Sequence, residues 1–349
     1  QELLPSCNLA KLKSNNNQVL GGVMMFKKCI LVVLLLSIVV GYMAVAPKAE
    51  AKGAYPEQAV TVIVPYSAGG ASDVAARLIA EFWKKYTGQE MAIVNVVGAE
   101  GAVGARQVKG ARPDGYTVLW YHQAILGNLY LGVADLKWTD FVPACVVTKT
   151  SRVTATRPDM PWKNLKDAIE DAKAHPNKYV YGTGAGGIAY LEYAAVEAAA
   201  PKAFRVVPNE GGDAQRIVAL LGKHVDLIPV GLVSLVSYIK TNEIKVLAVH
   251  DNERDKFIPN VPCSAELGYP DLVFPMTNTF FFPPKTPESV VSSFNAIMKK
   301  IIDDPEFKQK LADMVYAVPF FKTGDELVKF WQGQEVTYKK LAEYVVNKK

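Results

Sequence analysis

The chain has 349 residues, half of them hydrophobic, with 39 basic against 34 acidic side chains and a net charge of +5. Residues 1–51 carry five lysines and two glutamates, so removing them takes +5 to +2. With no basic block or basic–aromatic run, that balance excludes a nucleic-acid binder, and a remainder of about 300 residues is more than one compact core takes and fits two lobes.

The front of the chain reads as an export signal. Lys27 and Lys28 precede an apolar run over 30–40, and Ala49-Glu50-Ala51 supplies the small residues of a cleavage site, placing the cut after Ala51. The run is shorter than the roughly 20 residues of a membrane span, so a cleaved signal peptide and a periplasmic location are expected. Residues 1–23, polar and lacking a starting Met ahead of Met24-Met25, read as upstream sequence translated by a misplaced gene start. Cys29 precedes the apolar run and so cannot become a lipidated first residue. Cys145 and Cys263 remain, and two separate buried thiols are expected rather than a bridge.

At 60–64 an apolar strand runs into Tyr66-Ser67-Ala68-Gly69-Gly70, followed by Ser72, Asp73 and a helical pattern over 73–86. Glycines let backbone N–H groups approach a ligand, and the following helix contributes the positive end of its dipole. Tyr181-Gly182-Thr183-Gly184-Ala185-Gly186-Gly187 repeats the construction ahead of a second helix. Two such loops predict a cleft that grips a small anion without any charged side chain.

Strands are predicted at 60–64, 91–97, 117–121, 142–147, 153–156, 179–181, 204–207, 225–230 and 244–249, and helices at 73–86, 101–110, 162–174, 189–200, 213–221 and 233–241. The alternation predicts parallel sheets. From 288 the pattern becomes consecutive helices at 288–302, 305–312 and 324–346, the last with Phe330, Trp331, Tyr338 and Tyr344 as packing residues. No low-complexity linker is present after 52, so the lobes are expected to be joined by extended strands near 141–152 and 274–282.

Several motifs point elsewhere. Gly182 to Gly187 satisfies the Gly-x-Gly-x-x-Gly dinucleotide fingerprint, with Glu210 near the acidic position, which by itself reads as a nicotinamide-dependent oxidoreductase. Its mid-chain place and the export signal argue against that. His122, His175, His224 and His250 are scattered without metal-ligand spacing, and only His122, at a strand's carboxyl end, is expected to face the cleft. No Gly-x-Ser-x-Gly elbow exists, so no hydrolase, catalytic residue, metal or cofactor is expected.

Tyr55-Pro56, Val62 to Gly70, Asp73, Ala76-Arg77, Gly98-Ala99-Glu100-Gly101, Gly104-Ala105, Pro113-Asp114-Gly115-Tyr116-Thr117, Ala219 to Gly222, Val225-Asp226, Val261-Pro262 and Glu266 to Pro270 follow one another in order. In that succession the chain resembles the extracytoplasmic solute receptors of the tripartite tricarboxylate transporter family, the Bug receptors. The resemblance implies an α/β, type II periplasmic-binding-protein fold, two α/β lobes joined by crossover strands with an interlobe ligand cleft. On that reading residues 52–150 begin lobe 1, 151–272 form lobe 2, and 273–349 complete lobe 1 with the C-terminal helices. It implies a small carboxylate as ligand, and a large and a small integral membrane subunit as partners.

Carried onto this chain, the resemblance assigns ligand contacts to Tyr66, Ser67, Ala68, Gly69, Gly70, Ser72 and Asp73 of the first loop and to Tyr181, Thr183, Gly184, Ala185, Gly186 and Gly187 of the second. Asp73 would organise its loop by accepting backbone N–H bonds. Selectivity would come from a far wall of His122, Gln123, Glu210, Thr277 and Asn278. Pro208-Asn209-Glu210-Gly211 departs from the Pro-Tyr-Lys-Gly of many members, and Glu210 or Asp213 would either suit an ammonium group or, as loop carboxylates usually do, stay solvated. A sensor output through a membrane histidine kinase is the alternative to transport.

Overall fold

The computed structural model describes residues 55–346 except Ala185, Glu210 and Gly211. The signal-peptide and cleavage readings, and the assignments to Ala185 and Glu210, lie outside the described residues. Among the described residues eleven strands form two sheets. The first runs β11 (Ala317–Thr323), β4 (Val142–Thr150), β10 (Met276–Phe282), β3 (Thr117–Tyr121), β1 (Val60–Val64), β2 (Met91–Asn95). The second runs β7 (Arg205–Pro208), β6 (Val180–Thr183), β8 (Leu227–Gly231), β5 (Arg152–Thr156), β9 (Lys245–Val249).

Both sheets are mixed, which corrects the all-parallel expectation. β1 pairs parallel with β2 and β3, whereas β10 runs antiparallel to β3 and β4, and β11 to β4. In the second sheet β6 is parallel to β7 and β8, and β5 is antiparallel to β8 and β9. β4, β5 and β10 lie next to the passages between sheets, whereas β9 and β11 each follow a helical segment. β4 lies wholly in the first sheet and β5 in the second, leaving Ser151 between them. β10 also belongs wholly to the first sheet, so the return passage is 250–275 and not 274–282.

Alternation along the strands sorts the core. Val60, Val62, Val64, Val118, Trp120, Phe280 and Phe282 pack on one face with α1 (Ala71–Thr87), α8 (Glu288–Asp303) and α9 (Pro305–Val315). Ile63, Leu119, Tyr121 and Phe281 point the other way, into a core that continues through α2 (Ala102–Lys109), α3 (Ala124–Tyr130), α4 (Leu165–Ala174), α5 (Gly187–Ala199) and α10 (Gly324–Val346) to Tyr181, Leu227 and Leu247 of the second sheet. The far face of that sheet packs against α6 (Asp213–Leu221) and the residues around α7 (Val236–Lys240).

Local chemistry sets the ends. α1 stops at Gly88 in the left-handed region, φ 71°, with its N–H on the Lys84 carbonyl. Asn164 caps α4, and Asp304 caps α9 ahead of Pro305. The expected run of consecutive C-terminal helices is interrupted by β11, an edge strand whose register with β4 shifts after Pro319. A residue that cannot donate to the ladder is accommodated at this edge irregularity. α10 touches both halves: it packs on α3 and α5, Glu335 accepts from Tyr130 Oη at 2.6 Å and Trp138 Nε1 at 3.1 Å, and Tyr344 Oη reaches the Glu197 carbonyl at 3.2 Å.

Candidate ligand-binding site

The β1–α1 loop is held by one buried carboxylate. Asp73, 1% exposed, accepts from the Gly69 amide at 2.8 Å, Arg77 Nε at 2.9 Å and Asn95 Nδ2 at 2.9 Å. Burial opposes its ionisation, but the hydrogen bonds from Arg77, Gly69 and Asn95 outweigh that and hold the carboxyl below its ordinary range. Asn95 Nδ2 also reaches the Tyr66 carbonyl at 2.9 Å, tying the ends of β1 and β2 to α1. Ser67, Ala68, Gly69 and Gly70 stay exposed, with Gly69 at φ +80°. Ser72 turns inward instead: Oγ meets Asn278 Oδ1 at 3.3 Å, and Asn278 Nδ2 meets Thr148 Oγ1 at 3.3 Å.

His122, at the end of β3, is 7% exposed and stacks on Tyr66. Burial, followed by the nearby Arg152 charge, lowers its pKa to about 3, with Asp213 opposing. Nδ1 accepts the Ala124 N–H at 3.2 Å, which places the proton of the neutral ring on Nε2. Gln123 and Thr277 come together but bond each other, Nε2 to Oγ1 at 2.6 Å and Thr277 N–H to Oε1 at 3.1 Å. Gln123 Nε2 also lies 3.4 Å from Gln334 of α10, so this pair ties β10 and α10 to the start of α3.

In the second loop Tyr181 is fully buried among Tyr193 and Phe204, and Thr183 Oγ1 donates to the Ala189 carbonyl at 2.7 Å. The glycines carry the loop's shape. A Cβ at Gly184 would lie 3.0 Å from the Gly186 carbonyl oxygen, and Gly187 opens α5 at φ +66°. The two lobes meet here: Cβ positions at Gly127 and Gly186 would come 2.9 Å from the Gly187 carbonyl carbon and 3.0 Å from Val133, and one at Gly187 would lie 3.4 Å from the Glu100 carboxylate. Glu100 itself sits at φ 50°, its carbonyl accepting from Tyr121 Oη at 2.5 Å and Asn128 Nδ2 at 3.1 Å.

Sequence reasoning missed a buried charge cluster beside this loop. Arg152 grips Glu192 with Nε at 2.8 Å and Nη2 at 2.7 Å, Glu192 meets His250 Nδ1 at 2.6 Å, and His250 Nε2 meets Thr154 Oγ1 at 2.7 Å. Burial opposes the charge on Glu192, but Arg152 and His250 keep its carboxyl below the ordinary range. Asp213 accepts from Arg216 Nη2 and from the Gly231 amide at 2.9 Å. These bonds occupy the carboxylate that was expected to suit an ammonium group. The one available signal was Glu192, a lone carboxylate within the buried stretch of an apolar helix. His224, by contrast, is exposed after α6.

Two α/β halves that meet where the β6–α5 loop packs on α3 and Glu100, with a second strand–glycine–helix loop at the end of β1, have the architecture of a solute-binding receptor of the periplasmic-binding-protein class. The sequence model of the tripartite tricarboxylate transporter family receptor matches residues 75–345. The chain belongs to that family. It is 30% identical over 270 residues to the UPF0065 protein of the TAR-I ttuE–ttuC' intergenic region of Agrobacterium vitis, covering 76% of this chain and 78% of that one. It is 26% identical to protein BugT of Bordetella pertussis, covering 78% and 84%. Among solved structures, MatC of Rhodopseudomonas palustris with bound malate shares 26% identity over 83% of this chain and 100% of that chain, with TM-score 0.71. R. palustris Rpa4515 with adipate shares 25% over 83% and 98%, with TM-score 0.75. Among the described residues no helix is long and apolar enough to cross a membrane, and no His, Cys, Asp or Glu group is placed to hold a metal.

Proposed function

We propose that the protein captures a small carboxylate in the periplasm and hands it to a tripartite transporter made of a large and a small integral membrane subunit. The observation that carries this reading is the pair of loops ending β1 and β6. One presents exposed backbone over residues 67–70, tied from behind by Asp73, and the other opens α5 with glycines at 184, 186 and 187. Backbone donors and a helix N-terminus suit an anion, and relatives of the same fold were solved with malate and adipate. The carboxylate would dock on the first loop, closure would bring the second loop onto it, and exclusion of water would strengthen each dipolar contact. His122 would offer Nε2–H from a ring that carries no competing charge.

Ligand binding to the native state alone raises the melting temperature by mass action. A thermal-shift screen of the purified protein against mono-, di- and tricarboxylates, amino acids and NAD is the test. A carboxylate hit with no dinucleotide response supports the receptor. A response to the dinucleotide alone overturns it.

A further inference from the structure

Arg216, 5% exposed, spends Nε on the Pro229 carbonyl at 3.0 Å and Nη2 on Asp213. Its Nη1 lies 3.7 Å from the Cβ position of Gly184, in the β6–α5 loop, and no hydrogen bond joins it to an acceptor among the described residues. Arg152, equally buried, spends Nε and Nη2 on Glu192, and its Nη1 stands 3.8 Å from Asp213 Oδ1, too far for a hydrogen bond. Two guanidinium groups therefore flank one Asp213 oxygen, Arg152 through an Nη1 ion pair and Arg216 through Nη2, which leaves Arg216 Nη1 without an acceptor among the described residues. A planar guanidinium is the side chain best matched to a carboxylate. The absence of a side chain at Gly184 keeps the approach to Arg216 open, and the N-terminus of α5 adds a positive dipole end beside it.

We propose that Arg216, steadied by Asp213 and backed by Arg152, is the second lobe's specificity-determining anchor, and that the solute is an acid with two carboxylates. One carboxylate rests on the backbone of residues 67–70 and the other on Arg216 Nη1. This deepens the receptor reading above and rests on it. Arg216 then discriminates between acids of equal chain length by the presence of the second charge. The backbone loops alone cannot do so, because their amides accept any carboxylate.

The test is calorimetric titration of succinate against butyrate, and of adipate against hexanoate, on wild type, Arg216→Met, Arg216→Lys and Asp213→Asn. Wild type is expected to prefer one of the dicarboxylates over its monocarboxylate partner. Arg216→Met should weaken that dicarboxylate about 10- to 100-fold, the value of a charge-assisted hydrogen bond, and move the monocarboxylate by less than about 3-fold. Arg216→Lys should recover part of the loss. Retained preference in Arg216→Met, or equal loss of both acids, overturns the assignment. Should Arg216→Met show no cooperative melting, Asp213→Asn decides. It keeps an oxygen for the Gly231 amide while removing the charge that steadies Arg216, so dicarboxylate affinity should fall with monocarboxylate affinity moving by less than about 3-fold, and an unchanged dicarboxylate affinity or an equal loss of both acids overturns the proposal. A wild type that binds monocarboxylates equally well defeats this assignment alone, and one that binds no carboxylate defeats the receptor reading and the assignment with it.

Discussion

The His122 imidazole lies flat on the Tyr66 ring, centroids 4.8 Å apart and planes 9° from parallel. The pair joins the end of β3 to the loop after β1, and its burial makes the imidazole a poor base.

Because the folded pKa of His122 is lowered from 6.5 to about 3, the unfolded chain binds a proton in that window that the native chain does not. Stability attributable to this ring is present above pH 6.5 and is lost as pH falls toward 3, at about 1.4 kcal/mol per pH unit for one proton. Urea denaturation at pH 7, 6 and 5 should show that slope in wild type and a flatter one in His122→Asn. Equal slopes would refute the assignment.

Asp73→Ala removes the acceptor shared by the Gly69 amide, Arg77 and Asn95. Arg77 is half exposed and can turn to water, so the stability loss should be modest, about 1–3 kcal/mol. Ligand affinity should fall further than stability, because the amides of residues 67–70 lose their fixed geometry. Calorimetric titration alongside thermal melts separates the two, and an unchanged affinity would show that the loop needs no such organiser.

Glu192→Ala strands Arg152 in a buried site and should cost about 3–5 kcal/mol. Replacing both partners with apolar residues, Arg152→Met with Glu192→Leu, should recover much of that, since no unpaired charge remains. Chemical denaturation of the three variants checks it. A double variant no better than the single would place the cost in packing.

Gly101 and Gly69 separate strain from collision. Both have positive φ, +95° and +80°, but a Cβ at Gly101 would lie 2.8 Å from the Tyr121 ring while one at Gly69 meets nothing within 4 Å. Gly69→Ala should cost about 1 kcal/mol of backbone strain. Gly101→Ala should cost more, because the buried ring has little room to move. Melting temperatures in the reverse order would contradict the packing described.

Legibility in the sequence followed locality. The bounds of β1, β3, α6 and α10 could be read off because strand alternation and helical spacing are properties of neighbouring residues, and the two glycine loops are contiguous strings. α3, read over Ala124-Ile125-Leu126-Gly127-Asn128-Leu129-Tyr130, offers no polar face because five of its seven residues are buried. Pro319 hid β11. Arg152, Glu192, Asp213 and His250 are scattered along the chain and become neighbours only when the second sheet and α5 are in place. No spacing rule would have found them.

Helix α10 gives the molecule a biosynthetic order. Synthesis proceeds from the N-terminus, so every strand of both sheets and both glycine loops precede Gly324, while the helix bracing α3 against α5 is made last. A nascent chain ending at β11 would hold both half-sites with the contact between α3 and α5 still unbraced. Coupling between the half-sites is therefore tightened only after both have been made, so the grip on a solute is the last of these properties to be acquired.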